Sequence, residues 1–169
     1  MNTEEVKDFE TWTCLAYIDK VKPWRARGKG GGEVALISYY VLTRSGQLEE
    51  ETYYLASPAE KTDSYCSVCA GTLEALGYSL ENASKSVILE AFNDLRESGT
   101  RKRGLLVWAY IARSPKGVHT KKFDKVAVLT KGERVTARWL EGLAREDLVS
   151  SNSISEEDGN SQALKAQGG

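Results

Sequence analysis

The spacing of apolar residues changes three times along this chain, and that change restricts the fold more than any other feature. From Glu10 to Ala56 the spacing is two, the period of a half-buried strand. In Glu10–Lys22, Trp12, Cys14, Ala16 and Ile18 share one side, with Leu15 and Tyr17 on the other. Pro23 is expected to end this strand. Glu33–Thr43 (EVALISYYVLT) reads as a second strand, dense in β-branched and aromatic residues. A turn at Ser45-Gly46 leads to a third, Glu49–Ala56, which makes a meander. Between the first two strands, Trp24–Gly32 (WRARGKGGG) is too rich in glycine for regular structure.

The spacing then becomes helical. Ser57-Pro58-Ala59-Glu60 has the composition of a helix start, with Ser57 as N-cap. Tyr65, Val68, Cys69, Thr72, Leu73 and Leu76 follow on one stripe, and Gly77 suits the stop. A second helix is expected from about Ser84 to Glu97, burying Val87, Ile88, Ala91, Phe92 and Leu95. Period two returns in Leu105–Ala112 (LLVWAYIA). The turn Ser114-Pro115-Lys116-Gly117 separates it from a hairpin partner over His119–Leu129. A last amphipathic helix, Glu133–Asp147, presents Val135, Trp139, Leu140 and Leu143. Val149–Gly169 is rich in Ser, Asn, Glu and Gly without periodicity and reads as a disordered acidic tail. The expected division is therefore one domain over 1–148 and a tail over 149–169.

Three strands, a helical insert, two strands and a helix define an α+β, mainly β class. This element order predicts a five-stranded OB-fold-like barrel, with the insert between strands 3 and 4 and a C-terminal helix. The longest apolar run, Gly104–Ala112, is nine residues, short of the roughly 20 that span a bilayer. Met1–Glu10 carries four acids and one lysine with no apolar stretch, unlike a secretory leader. With three cysteines and no such leader, a reducing cytoplasm is the expected compartment.

Lysine and arginine number 23 against 24 acids, a formal net charge of −1. The sum conceals segregation. From Arg101 to Arg138, eleven basic residues face only Asp124 and Glu133, a net of +9. Asp19 to Lys29 holds five basic residues and one acid, a net of +4. These segments connect strands 1–2 and 4–5, the loops beside the ligand face of an OB-fold. Aromatic residues fall near them. Trp108 and Tyr110 lie on the outward side of the fourth strand by alternation, and each pair Tyr39-Tyr40 and Tyr53-Tyr54 sends one ring outward. Trp24 stands in the basic loop and Phe123 in the basic hairpin. Rings beside cations suit single-stranded nucleic acid. The competing reading keeps these rings as core and the lysines as solvated hairpin residues that block edge pairing.

Cys66-Ser-Val-Cys69 has zinc-knuckle spacing, yet a tetrahedral site needs four ligands and only Cys14 and His119 remain to complete it. Packing of Cys66 and Cys69 as small hydrophobes is the favoured reading, with no cofactor expected. The GKGGG run lacks the Lys-Ser/Thr and the following helix of a phosphate loop, and no catalytic constellation stands out, so a non-enzyme is expected.

The stretches TCLAYIDKV, WRARGKGGG, VALISYYVL, CAGTLEALGY and LLVWAYIA…KKFDKVAVL resemble the phage-encoded OB-fold single-stranded DNA-binding proteins over Thr11–Leu129. That resemblance implies sequence-tolerant protection or organisation of single-stranded DNA in replication or recombination, in a host cytoplasm. RNA remains a competing polymer, and a homo-oligomer and contacts with replication or recombination proteins stay open. Phosphates would meet Arg25, Arg27, Lys29, Arg113, Lys116, Lys121 and Lys122. Bases would stack on Trp24, Trp108, Tyr110 and Phe123, with Tyr40 and Tyr54 as further platforms. Glu156, Glu157 and Asp158 of the tail would compete for the same groove. The chain ends LKAQGG rather than in an acidic-apolar tip, a departure that puts recruitment of partners through the tail in doubt. The alternative is a protein-interaction module, a phage inhibitor or adaptor whose basic hairpin docks an acidic host protein.

Overall fold

The computed structural model describes residues 10–26 and 32–147. The strands are β1 (Glu10–Arg25), β2 (Glu33–Leu42), β3 (Leu48–Ala56), β4 (Leu106–Ser114) and β5 (Gly117–Lys125). Between β3 and β4 stand α1 (Asp63–Ala75) and α2 (Lys85–Ser98), the latter followed by a 3-10 turn over Gly99–Lys102. A third helix, α3, occupies 131–147. The fold is α+β, mainly β, with one antiparallel sheet in the order β3-β2-β1-β4-β5. No helix among the described residues is long and apolar enough to cross a membrane.

The sheet curls into a half-barrel because β1 serves two partners in succession. Its first half, Glu10–Tyr17, pairs with β4, and its second half, Tyr17–Arg25, with β2. Asp19 is the extra residue of a bulge between Ile18 and Lys20, which bends the strand. Pro23 does not end β1, contrary to expectation: it sits in register with Ala35. Pairing with β4 has already ended at Tyr17, so this part of β1 is an edge where a missing N–H leaves no ladder bond unmade. The outer strands β3 and β5 then approach through side chains. Tyr53 donates its hydroxyl to the Lys121 carbonyl at 3.2 Å, and the Thr120 hydroxyl donates to the Thr52 carbonyl at 3.5 Å.

The concave face is the main core. Ala16, Ile18, Ala35, Ile37, Tyr39, Val107, Ala109 and Ile111 meet Cys69, Leu73 and Leu76 of the first insert helix and Phe92 and Leu95 of the second. The predicted alternation of β1 and β4 is observed. Leu105 is the exception, outside β4 and exposed, although its carbonyl still accepts from Ile18 N–H at 2.9 Å. The convex face is not bare. Leu15, Tyr17 and Tyr40 pack there against Ala137, Leu140 and Ala144 of α3, with Trp108 at the margin.

Three boundaries differ from the sequence reading. Ser57-Pro58-Ala59-Glu60 forms a turn, not a helix start: the Ser57 hydroxyl accepts from Ala59 N–H, and Glu60 takes a left-handed φ of 61°. Thr62 caps α1 instead, accepting from Tyr65 N–H at 3.2 Å, and Val68 faces solvent while Cys66 is buried. β5 stops at Lys125, short of Leu129. Thr130 and Glu133 then form a reciprocal capping box, which starts α3 before Glu133.

Gly99 holds the insert against the curl. A Cβ built there would lie 2.4 Å from the Val21 Cβ, closer than any real contact. Gly99→Ala is expected to destabilise the fold by about 1–3 kcal/mol through overpacking. Chemical denaturation checks it, and adding Val21→Ala should recover little, because alanine keeps the Cβ that the new methyl meets.

Candidate nucleic-acid interface

Beyond the bulge, alternation sends Lys20, Lys22 and Trp24 to the convex face while Val21 points into the core. Register places their neighbours. Trp24 lies beside Val34 and then Ala56; Lys22 lies beside Leu36 and then Tyr54; Lys20 lies beside Ser38 and then Thr52. Trp24 and Tyr54 are 41% and 59% exposed, and their rings meet edge to face with centroids 5.6 Å apart. Such pairing holds two large rings in fixed orientation at the surface. Lys20 and Lys22 are exposed beside them.

Arg96 of α2 braces this end of the sheet. Its guanidinium donates to the carbonyls of Trp24 (3.1 Å) and Val34 (3.0 Å) and lies 3.5 Å from Glu33. Glu33 also lies 3.5 Å from Arg25, so Arg25 reaches outward with part of its charge already balanced. The Ala26 N–H bonds the Gly32 carbonyl at 2.9 Å and closes the base of the basic loop. Arg27 and Lys29 lie outside the described residues, as does the acidic tail over 149–169.

The second basic segment stands elsewhere. Tyr110 is half-buried on the convex face, flanked in register by Thr13 and Lys122. Lys122 is 3.4 Å from Asp124. Arg113 lies over the Trp12 ring, 5.3 Å from its centroid. Lys116 is exposed at the β4–β5 turn and Lys121 is exposed on β5. Ten residues of β1 separate Thr13 from Trp24, about 35 Å along the strand. Between them α3 roofs the convex face. The expected residues therefore fall at two ends of the sheet: Trp24, Arg25 and Tyr54 at one, and Tyr110, Arg113, Lys116, Lys121 and Lys122 at the other, with Arg25 and Arg113 turned to the opposite face from Trp24 and Tyr110.

Three expected platforms are not available as placed. Phe123 is fully buried, edge-on to both Tyr39 and Tyr53 at 5.2 and 5.0 Å between centroids. Its flanking charges suggested a surface hairpin, but pairing with inward Ala109 puts the ring in the core. Tyr40 does point to the convex face as alternation requires, yet it is buried there and donates to Asp147 at 2.7 Å. Trp108 is half-buried against the same roof. Three exposed residues were missed as site candidates. Lys20 and Lys22 share Trp24's parity, a signal present in the sequence. Trp139 is 54% exposed rather than on the buried side of its helix.

Carboxylates gather where α3 meets the sheet. Partial burial, then Asp19, and less strongly Asp147, hold Glu50 above the ordinary carboxylate value, while Lys20 pulls it down. A carboxyl raised in the folded state favours the protonated form, so its stabilising effect is present at low pH and lost as pH rises through the folded value. Glu50→Gln is thus expected to raise the melting temperature at pH 7, with the gain vanishing towards pH 4. A gain independent of pH would contradict this.

Cys66 and Cys69 lie buried along α1, with the Cys66 thiol 3.6 Å from the Pro58 carbonyl. Burial, and then Cys66, push the Cys69 thiol up to about 12, which keeps it protonated at neutral pH. No three His, Cys, Asp or Glu side chains among the described residues are grouped so as to hold a metal.

Fold and surface define an α+β, mainly β protein whose curled antiparallel sheet carries an exposed aromatic pair among cations on its convex face. Compared with protein-family models and with curated proteins, the chain matches none.

Proposed function

We propose that this protein binds single-stranded DNA without strong sequence preference, as a non-catalytic OB-fold-like module acting in replication or recombination. The observation that carries this reading is the exposed Trp24–Tyr54 pair flanked on the same face by Lys20 and Lys22, with Arg25 next along the strand. Every base has a π-face, so rings at a surface bind bases with little regard for sequence, and cations track the phosphates between them. The topology supports the same reading. With β3 and β5 in side-chain contact, the five strands approach a partly open barrel, and the pair stands beside the β2–β3 face and the β1–β2 loop, where OB-folds hold oligonucleotides. Three unpaired cysteines fit a reducing cytoplasm.

A tryptophan-fluorescence titration with oligo(dT) at two salt concentrations tests this. Quenching is expected at low salt. Affinity should fall with a log–log slope of about −3.5 if five phosphates are neutralised by Lys20, Lys22, Arg25, Arg27 and Lys29. No quenching at low salt would overturn the proposal. Stronger binding of oligo(U) in competition would assign the surface to RNA, and co-purification of an acidic protein with indifference to oligonucleotides would favour an adaptor.

A further inference from the structure

We propose that the solvent face of α3 is a second phosphate-binding surface for the same single strand, an inference that rests on the function proposed above. This helix turns its buried line, Ala137, Leu140 and Ala144, onto the sheet. At 3.6 residues per turn, Lys131, Arg134, Arg138 and Arg145 fall within about 60° of one another on the solvent side, and Val135 and Trp139 extend the stripe to about 140°. The four cations span about 21 Å along the axis. A rod bearing cations one or two turns apart along one side is complementary to a polyanion.

Little inside the molecule accounts for these charges. Among the described residues Lys131, Arg134 and Arg138 make no ion pair, and the Arg134 guanidinium donates to the Leu129 carbonyl at 3.0 Å. Of the acids on the helix, Glu141 is taken up by Arg145 at 3.8 Å and Glu133 by the capping box, and Glu146 and Asp147 stand at the far end. Lys131 in the first turn even opposes the helix dipole, so it is not there to stabilise the helix. Gly142, near the middle of the exposed arc, has open space where a Cβ would sit, so no internal packing calls for it. It leaves the backbone open to close approach by a ligand. Trp139 lies against the β2–β3 turn, where a Cβ on Gly46 would come within 2.6 Å of its ring, and so offers a held face beside the cations.

The test compares wild type with the triple variant Lys131→Gln/Arg134→Gln/Arg138→Gln, using oligo(dT) of about 8 and about 30 nucleotides, around and beyond one OB-fold site size. Expected is a tenfold or greater loss on the long oligonucleotide, with the salt slope reduced by about 2 and short-oligonucleotide binding unchanged. Melting temperature should hold or rise, because an opposing first-turn charge is gone. Arg134→Lys/Arg138→Lys should retain long-oligonucleotide affinity. If the triple variant binds the long oligonucleotide like wild type, while loss of Trp24 and Tyr54 abolishes binding, this inference fails and the proposed function stands. If wild type binds neither oligonucleotide, both fail. Equal loss on both lengths with a lowered melting temperature would assign the cations to structure, and preference of this face for anionic vesicles over oligo(dT) would assign it to lipid. Either result overturns the inference.

Discussion

Trp24→Ala/Tyr54→Ala is expected to remove most of the affinity for oligo(dT) while leaving the fold intact. Each stacked base contributes about 1–3 kcal/mol, so each ring should account for about 5- to 150-fold in affinity. Loss of both should approach the product, unless the edge-to-face contact makes them act as one platform. In that case either single variant would lose nearly as much as the double. Stability should change little, since both rings are exposed and their mutual contact accounts for about 0.5–1.5 kcal/mol. Fluorescence anisotropy with labelled oligo(dT), beside thermal melts, separates the two effects. Unchanged affinity in the double variant would remove the platform from the account.

Phe123→Ala should behave in the opposite way. This ring is wholly inside the half-barrel, between Tyr39 and Tyr53, at the place where β5 approaches β3. Truncating a fully buried phenylalanine costs about 3–5 kcal/mol, a large share of the stability of a domain this size. Its backbone N–H also donates to the Thr72 hydroxyl of α1 at 3.1 Å, so the cavity would open beside the contact that ties insert to sheet. A lowered denaturation midpoint is expected, with the affinity of the remaining folded fraction unaltered. Wild-type stability combined with lost binding would return Phe123 to the surface.

The contrast between these residues shows what the sequence could reveal. Strand alternation was legible: Ala16 and Ile18 against Leu15 and Tyr17 separate into concave and convex faces as their parity requires. Parity states direction only. Whether Tyr40 or Tyr54 meets water depends on α3, which covers the first and not the second. That helix was itself misread for a physical reason. Leu140 is buried as expected, but Val135 and Trp139 face solvent: Tyr17, Tyr40 and Trp108 on the sheet already supply bulk, so α3 docks through Leu140 flanked by Ala137 and Ala144. Small residues let a helix sit close to protruding rings, and a pattern sought in large residues overlooks them. Pro23 misled likewise, because a strand paired on one side only tolerates it. Charge segregation was visible, but the two basic segments occupy separate zones, a consequence of the length of β1 that no linear count contains.

The most direct test of the central claim is photocrosslinking of oligo(dT) carrying 5-iododeoxyuridine, with the modified peptides identified by mass spectrometry. Crosslinks at Trp24 and Tyr54 are predicted at low salt, fading as salt rises. Efficient crosslinking of the bound strand elsewhere, with neither Trp24 nor Tyr54 modified, would contradict the account.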